Sequence, residues 1–295
     1  MAEAFLEYDV VDVFAAAPFA GNQLAVVHGA DDLPDAALLA IAQEFGFSET
    51  TFPTPVDDGR YRVRIFTPGG EIPFAGHPTL GTASVLRDRG RLGEPAVVQE
   101  CGAGEIQVTF LGDQVELTAT PRDRVGPLGD AFAAQLLQAV GLELSDCDGE
   151  VWLAGTGLTF VHLPVHDEAV ARAALPRRAV RELAELPETG DPLDGINLYA
   201  VRDRSGDGLD VHSRVFVPGL LGAEDPATGS AAAGLGIALH ARGLLENDDR
   251  YRVSQGTEMG RPSVLHGRID ADTSVTRVHV AGAVHFIAQG HIRVP

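Results

Sequence analysis

Four side chains in this sequence have the chemistry to move protons or to bind a small acid: Glu49, His77, Asp225 and Ser230. Glu49 lies among Phe45, Phe47 and Phe52, and no lysine or arginine occurs within ten positions of it. A carboxyl group held against apolar side chains can exchange protons near neutral pH. This pattern therefore predicts a general acid–base role for Glu49.

The same local sequence is compatible with an exposed glutamate just past a helix. Apolar residues recur at helical spacing from Asp35 to Phe45, so a helix is expected to end shortly before Glu49. In the second half of the chain, residues 197–201 lie at the matching distance before a repeated motif and contain no carboxylate. This one-sided occurrence favours a mechanism with a single base, and the structural alternative stays open.

The stretch 224–234 predicts the start of a buried helix. Pro226 suits the first turn of a helix, because the N–H group that proline lacks would have no partner there. Gly229 and the small residues around it would let a ligand approach the free N–H groups closely. We therefore expect Thr228 and Gly229 to help bind an anion at this helix start. An ordinary capped core helix is the alternative.

The chain carries this arrangement twice. The matching segments, in chain order, are 20–27 with 156–163, 64–69 with 214–219, and 77–84 with 225–232. Because the pairs occur in the same order, the sequence predicts two similar domains, each with one such helix start. Gly76 and Gly81 lie at the first of these starts. A substrate carboxylate is expected to rest on both helix starts, in a cleft between the domains.

His77 and Asp225 occupy equivalent positions in the repeat, and each has a structural and a chemical interpretation. Aspartate is a good helix cap and complements the helix dipole, so capping and catalysis are both open for Asp225. Histidine is a poor cap, and a neutral imidazole near a positive helix end would have a lowered pKa and could relay protons. Ser230 could hold a substrate carboxylate, or it could simply cap or pack. A Ser230, His77 and Asp225 hydrolase triad is a further alternative.

The pattern of apolar segments predicts more strands than helices in each half of the chain. We expect an α+β fold in which each domain is a curved mixed β-sheet around one central helix. The polar segment 120–127 is rich in turn-forming residues and marks the domain boundary. The expected domains are therefore 1–122 and 123–289. The alternating tail, 279–294, is expected to form a strand pair that turns at Gln289-Gly290.

Composition restricts the class of protein. The formal net charge of −20 over 295 residues argues against nucleic acid and anionic membranes as partners. All 22 basic residues are arginine, which removes lysine Schiff-base chemistry and lysine-bound pyridoxal phosphate. Cys101 and Cys147 lack metal or redox spacing, and no signal peptide or membrane-spanning run occurs. We expect a cytoplasmic protein without a cysteine metal site, and the paired helix starts suit a small-molecule carboxylate.

Several motifs are spread over most of the chain. They are Ala20-Gly21-Asn22 with Leu24-Ala25-Val26-Val27, Ser48-Glu49-Thr50, Pro73-Phe74-Ala75-Gly76-His77-Pro78-Thr79-Leu80-Gly81, and Glu224-Asp225-Pro226-Ala227-Thr228-Gly229-Ser230-Ala231. With them the sequence resembles the phenazine-biosynthesis PhzF-like family, part of the diaminopimelate-epimerase-like superfamily. The resemblance implies two barrel-like halves, each a curved sheet wrapped on a central helix. It also implies that the last strand, 290–295, returns to the first domain.

The resemblance further implies an activity. The phenazine enzyme of the family is a cofactor-free isomerase acting on a dihydro-hydroxyanthranilate, in which a glutamate moves a proton between ring carbons. Carried over to this sequence, that role falls on Glu49, and the assisting and binding roles fall on His77, Asp225 and Ser230. The family also implies a homodimer. Epimerases of the superfamily use a cysteine at each helix start, so two-thiol epimerisation is excluded here. A non-catalytic small-acid-binding protein and a Ser/His/Asp hydrolase are the alternatives.

Overall fold

The computed structural model describes residues 4–121, 124–174, 193–205, 208–217, 224–271 and 276–295. The chain divides into two compact units, unit 1 with Met1–Thr118 and Ala281–Pro295, and unit 2 with Ala119–Val280. Within the described ranges, no helix is both long enough and apolar enough to cross a membrane.

Among its described residues, unit 1 contains two helices, and the rest of its regular structure consists of strands. Its elements are β1 (Phe5–Val13), β2 (Asn22–Val27), α1 (Asp35–Phe45), β3 (Glu49–Asp57), β4 (Arg60–Thr67), β5 (Gly70–Ile72), α2 (Gly76–Asp88), β6 (Ala96–Cys101), β7 (Gly104–Leu111), β8 (Gln114–Ala119) and the part from Ala281 onward of the last strand, β17 (Arg277–Arg293).

The strands of unit 1 close into a barrel around α2. β1 pairs antiparallel with β17 and β2, β2 runs parallel to β3, and β3 is antiparallel to β4. β4 runs parallel to β6, the strands β6, β7 and β8 are antiparallel, and β8 pairs with β17. Ten of the 13 residues of α2 are buried, which identifies it as the central helix. α1 packs outside the sheet on β3 and β4.

Unit 2 repeats this plan with more helical segments. Its elements are β9 (Val125–Leu128), α3 (Asp130–Ala139), a 3₁₀ helix (Leu144–Asp146), β10 (Val151–Gly155), β11 (Thr159–Pro164), α4 (Asp167–Arg172), β12 (Gly195–Ser205), β13 (Gly208–Phe216), β14 (Glu224–Asp225), α5 (Gly229–Ala241), β15 (Arg250–Gln255) and β16 (Ser263–Asp270).

The strand pairings of unit 2 follow the same order as those of unit 1. β11 runs parallel to β12, β12 is antiparallel to β13, β13 runs parallel to β15, and β15 is antiparallel to β16. The short strands β5 and β14 add to β4 and β13 in the same antiparallel way. Eleven of the 13 residues of α5 are buried. The predicted α+β fold of two similar domains, each a mixed sheet around a central helix, is confirmed.

The tail differs from the sequence-based expectation of a turn at Gln289-Gly290. β17 runs without a turn through this point, and Gly290 lies directly opposite Tyr8 of β1. A Cβ atom on Gly290 would come within 2.7 Å of the Tyr8 hydroxyl oxygen. The glycine therefore makes room for a tyrosine on the neighbouring strand. The prediction of a turn was wrong because glycine serves both purposes and only the pairing distinguishes them.

Two adjacent threonines of β3 lie on opposite faces of the strand, one toward the central helix α2 and the other toward the apolar cluster under α1. Successive side chains on a strand point to opposite faces. Thr51 faces α2, and its Oγ1 lies 2.8 Å from Oγ1 of Thr82. Thr50 pairs with Phe66, a member of the apolar cluster under α1. Thr50 is fully buried, and its Oγ1 has no hydrogen-bond partner among the described residues.

We predict opposite stability effects for the same substitution at these two positions. Thr50→Val replaces a buried hydroxyl that lacks a partner by a methyl group, and should stabilise the protein by about 1 kcal/mol. Thr51→Val breaks the bond to Thr82 and should destabilise it by about 1 kcal/mol. Urea denaturation of both variants measures the difference. Destabilisation by Thr50→Val as large as that by Thr51→Val would contradict the assignment.

Candidate functional site

Glu49 is the first residue of β3, immediately after the turn that ends α1. Gly46 ends α1 in the left-handed conformation, with φ of 64°, which redirects the chain into the strand. Glu49 lies on the same strand face as Thr51, two residues later, and that face is turned toward α2. Only 13% of the Glu49 side chain is exposed. The strand therefore delivers the carboxyl group to the N-terminal part of α2.

His77, the second residue of α2, lies beside that carboxyl group. Its Nε2 is 3.4 Å from Oε2 of Glu49, and its Nδ1 is 3.3 Å from Nδ2 of Asn22. An asparagine Nδ2 can only donate, so a hydrogen bond between these two nitrogens requires Nδ1 of the ring to accept, with the proton of the neutral imidazole on Nε2. In that tautomer the N–H group of His77 points toward Glu49.

Burial keeps the His77 ring neutral. It lowers the pKa of His77 to about 3, partly offset by a backbone hydrogen bond to Gln23. The sequence had suggested a lowered pKa caused by the helix start, whereas burial is the main cause in the structure. A neutral imidazole with its proton on Nε2 can donate a hydrogen bond to a carboxylate or to a substrate oxygen.

The N-terminal turns of α2 and α5 are alike in lacking a side-chain cap. Ala75 is the N-cap residue of α2 and Thr228 that of α5, and no side-chain hydrogen bond caps either helix. The first N–H groups of a helix have no partner within the helix and attract anions. Gly76 and Gly229 are the first residues of these turns. Each unit therefore offers backbone donors of the kind that bind a carboxylate.

Gly81, the other glycine predicted to contact substrate, lies further along α2 against the barrel wall. A Cβ atom there would come within 2.6 Å of Leu24 Cδ2 and 2.8 Å of Val13 Cγ2. The glycine lets α2 approach β1 and β2 closely. This packing is what the structure shows for Gly81, and its substrate contact stays a prediction.

At the start of α5, four predicted site residues occur together. They are Asp225, Thr228, Gly229 and Ser230. Asp225 ends β14 and is 6% exposed, and its Oδ2 accepts a 2.6 Å hydrogen bond from Oγ1 of Thr228. Ser230 is the second residue of α5, as His77 is of α2, and it is also buried. The expected equivalence of His77 and Asp225 was wrong, because the strand registers match Asp225 with Ile72. The carboxylate and the hydroxyl thus flank the uncapped helix start.

A buried ion pair holds β14, the two-residue strand that carries Asp225. Nε and NH2 of Arg214 each donate to one carboxylate oxygen of Glu224, both at 2.8 Å. The guanidinium also donates to the carbonyl oxygens of Val170 and Ala173. The side chains of Arg214 and Glu224 are only 9% and 14% exposed. Glu224 is thereby fixed, and with it the adjacent Asp225.

The strand registers identify which residue of unit 2 corresponds to Glu49. Thr50 pairs with Phe66 in unit 1, and Ile196 pairs with Phe216 in unit 2. Phe66 and Phe216 are matched by the sequence repeat, so the residue before Ile196 takes the place of Glu49. That residue is Gly195, which lies before the stretch 197–201 expected from sequence distance.

Unit 2 has no room for a side chain at this position. A Cβ atom on Gly195 would come within 2.6 Å of the carbonyl oxygen of Phe216 and 2.8 Å of the Phe160 ring. Phe160 corresponds to Leu24 in the repeat, so a larger ring fills the space. The absence of a second carboxylate at the repeated position therefore has a packing reason.

Sequence reasoning missed the residues that orient the predicted ones. Asn22 was quoted in a motif but given no contact with His77, from which it is separated by 55 positions. Gln255, which bonds to Thr228, was not singled out. Neither has a local signal, because a lone asparagine or glutamine is unremarkable until the strand pairing is known.

Comparison with known proteins agrees with this architecture. The family described as phenazine biosynthesis-like protein, PhzC-PhzF, matches residues 11–290. The chain belongs to this family. A PhzF-family phenazine biosynthesis protein from Bacillus anthracis has the same fold, with a TM-score of 0.84 over 98% of this chain and 99% of that one, at 24% identity. The predicted family is therefore confirmed.

Two whole-length relatives carry the name of a reaction. The trans-2,3-dihydro-3-hydroxyanthranilate isomerase of Pseudomonas fluorescens is 36% identical over 282 residues, covering 93% of this chain and 95% of that protein. The protein of the same name from Pseudomonas aeruginosa is 35% identical over 290 residues, covering 96% and 98%. PhzC-PhzF members as similar as these thus include enzymes named as isomerases.

Proposed function

We propose that this protein is a cofactor-independent isomerase that moves a proton on trans-2,3-dihydro-3-hydroxyanthranilate or a closely similar carboxylate-bearing compound. Similarity over nearly the whole chain to two enzymes named for that substrate supports the substrate class and confirms the expectation of an isomerase. The observation that carries the proposed mechanism is the pair of Glu49 and His77, 3.4 Å apart in a buried part of unit 1.

Glu49 is the proposed proton carrier. Its carboxylate takes a proton from one ring carbon, the electrons of that C–H bond shift through the ring, and the proton is returned to another carbon. No electrons are gained or lost overall. The neutral His77, oriented by Asn22, assists by donating from Nε2 to the carboxylate of Glu49 or to the substrate. Positioned groups of this kind are typical of general acid–base catalysis.

Unit 2 supplies the proposed binding groups. The N–H groups at Gly229 and the hydroxyl of Ser230 suit a substrate carboxylate, and Asp225 can accept from an amino or hydroxyl group of the substrate. Thr228 keeps the Asp225 side chain in place. Gly76 is the corresponding proposed contact in unit 1, and the predicted contact of Gly81 would have to come from further along α2.

The contacts of His77 disfavour the hydrolase alternative. In a Ser-His-Asp triad the aspartate holds Nδ1 of the histidine. In this protein Nδ1 faces the amide nitrogen of Asn22, and Asp225 accepts from Thr228.

Incubation with trans-2,3-dihydro-3-hydroxyanthranilate in deuterium oxide tests the proposal. We expect an isomerised product that carries deuterium on carbon, because the proton held by Glu49 can exchange with solvent before it is returned. A binding protein would leave the compound unchanged and free of deuterium. A hydrolase would yield a product of different mass. Either of these two outcomes would refute the proposed isomerase.

The remaining predictions belong to the same proposal. A homodimer, a cytoplasmic location, and activity without a metal or cofactor are proposed on the strength of the family resemblance and composition. The domain boundaries expected from the sequence, 1–122 completed by 290–295 and 123–289, stay a prediction. Mass measurement in solution tests the dimer, and turnover after exhaustive chelation and dialysis tests the independence from metals and cofactors.

A further inference from the structure

The side chain of Gln255, the last residue of β15, bonds to the end of β14 and to the N-cap residue of α5. Its side chain is buried, with 1% of the residue exposed. Nε2 donates to the carbonyl oxygen of Asp225 at 2.7 Å and to Oγ1 of Thr228 at 3.1 Å. Oε1 accepts from the backbone N–H group of Thr228 at 3.3 Å. One amide group thus holds both the strand end and the helix start.

The direction of these bonds leads to the carboxylate of Asp225. Because Nε2 of glutamine can only donate, the Thr228 hydroxyl oxygen is the acceptor in this hydrogen bond. The hydroxyl hydrogen is then free to point at Oδ2 of Asp225, which lies 2.6 Å away. Gln255 therefore sets the orientation of the hydroxyl that holds the carboxylate, and it fixes the backbone of Asp225 at the same time.

Unit 1 contains a glutamine–threonine pair that ends differently. Nε2 of Gln99 donates to Oγ1 of Thr79 at 2.9 Å, and that hydroxyl donates to the carbonyl oxygen of Ala75 at 2.9 Å. Tyr61 donates to Oε1 of the same glutamine. The last acceptor in this pair is a backbone carbonyl group at the first turn of α2, not a side-chain carboxylate. The pair in unit 2 uses the same residue types but ends on a carboxylate.

We propose that Gln255 is a positioning residue that acts through Thr228 to hold the Asp225 carboxylate in its productive orientation. The proposal rests on the proposed function, in which Asp225 contacts the substrate. It extends that function to a side chain with no substrate contact of its own. The comparison with Gln99 provides the matched control.

Double-mutant cycles with Asp225→Asn test this role. Gln255→Met keeps the length of the side chain and removes its hydrogen bonds, and should lower kcat by about 10- to 100-fold, as expected when a reacting group is misplaced. If Gln255 acts through Asp225, the same change should cost little more in the Asp225→Asn background. Gln99→Met should instead lower activity by the same factor in both backgrounds.

Thr228→Val provides a second route if Gln255→Met does not fold, as judged by thermal unfolding. It removes the hydroxyl link and should show the same non-additivity with Asp225→Asn. If Asp225→Asn is impaired and each further substitution lowers its activity by the same factor as in the unsubstituted protein, the positioning role is overturned and the proposed function stands. Full activity of Asp225→Asn would overturn both the positioning role and the proposed use of Asp225. The readout throughout is deuterium incorporation and product formation from trans-2,3-dihydro-3-hydroxyanthranilate.

Discussion

Glu49→Gln should abolish most turnover while leaving substrate binding nearly intact. Glutamine has almost the same shape as glutamate and can still face His77, but it cannot take up or release a proton near neutral pH. Loss of a positioned acid–base group typically costs about 100- to 10,000-fold in rate. Product formation and deuterium exchange measure turnover, and calorimetric titration measures binding.

Glu44→Gln is the matched control, because Glu44 is an exposed glutamate on α1 five positions before Glu49. That variant should keep the activity of the unsubstituted protein. Full activity in Glu49→Gln would refute the role of Glu49 as the proton carrier. Weak binding with unchanged turnover at saturation would instead assign Glu49 to substrate binding.

Glu224→Gln should destabilise the protein strongly. Arg214 would keep its charge in a buried place but lose a two-point carboxylate partner, and removing one member of a buried ion pair typically costs about 3–5 kcal/mol. Glu224 raises the pKa of Arg214 in the unsubstituted protein through its hydrogen bonds. Arginine stays protonated near neutral pH even without such a partner, so the guanidinium cannot escape the cost by losing its proton. Urea denaturation measures the change in the free energy of unfolding.

The repeat provides a matched control in unit 1. Arg64 corresponds to Arg214 and donates at two points to Glu71, at 2.9 and 2.6 Å. These side chains are 39% and 43% exposed. Because exposed ion pairs contribute about 0–1 kcal/mol, Glu71→Gln should have a small effect. Equal effects of Glu71→Gln and Glu224→Gln would show that burial of the unit 2 pair does not determine its contribution.

Much of the fold could be predicted because the duplication is visible in short motifs. The segments around His77 and Asp225 each predict a helix start, and the repeated Arg-x-Phe before them predicts two equivalent strands. A helix follows each motif, but the proline rule locates its start only in unit 1. Pro78 lies in the first turn of α2, whereas Pro226 precedes α5, which begins at Gly229. The two central helices and their surrounding strands follow from these signals.

The orienting contacts could not be predicted because they depend on strand register. Asn22 reaches His77 only because β2 and α2 are neighbours in a closed barrel. Gly195 takes the place of Glu49 only in a register that pairs Ile196 with Phe216. A shift of one residue would turn each side chain to the other face. Sequence spacing alone does not determine that register.

The barrel of unit 1 determines the order in which the two sheets can be completed during synthesis. Its closing strand, β17, is contributed by residues that follow the whole of unit 2 in the chain. During synthesis, the residues of unit 2 are complete while β1 and β8 still lack their neighbour β17. Such unpaired strand edges can pair with other segments or other chains. The unit that leaves the ribosome first, with Glu49 and His77, is therefore the last to complete its sheet.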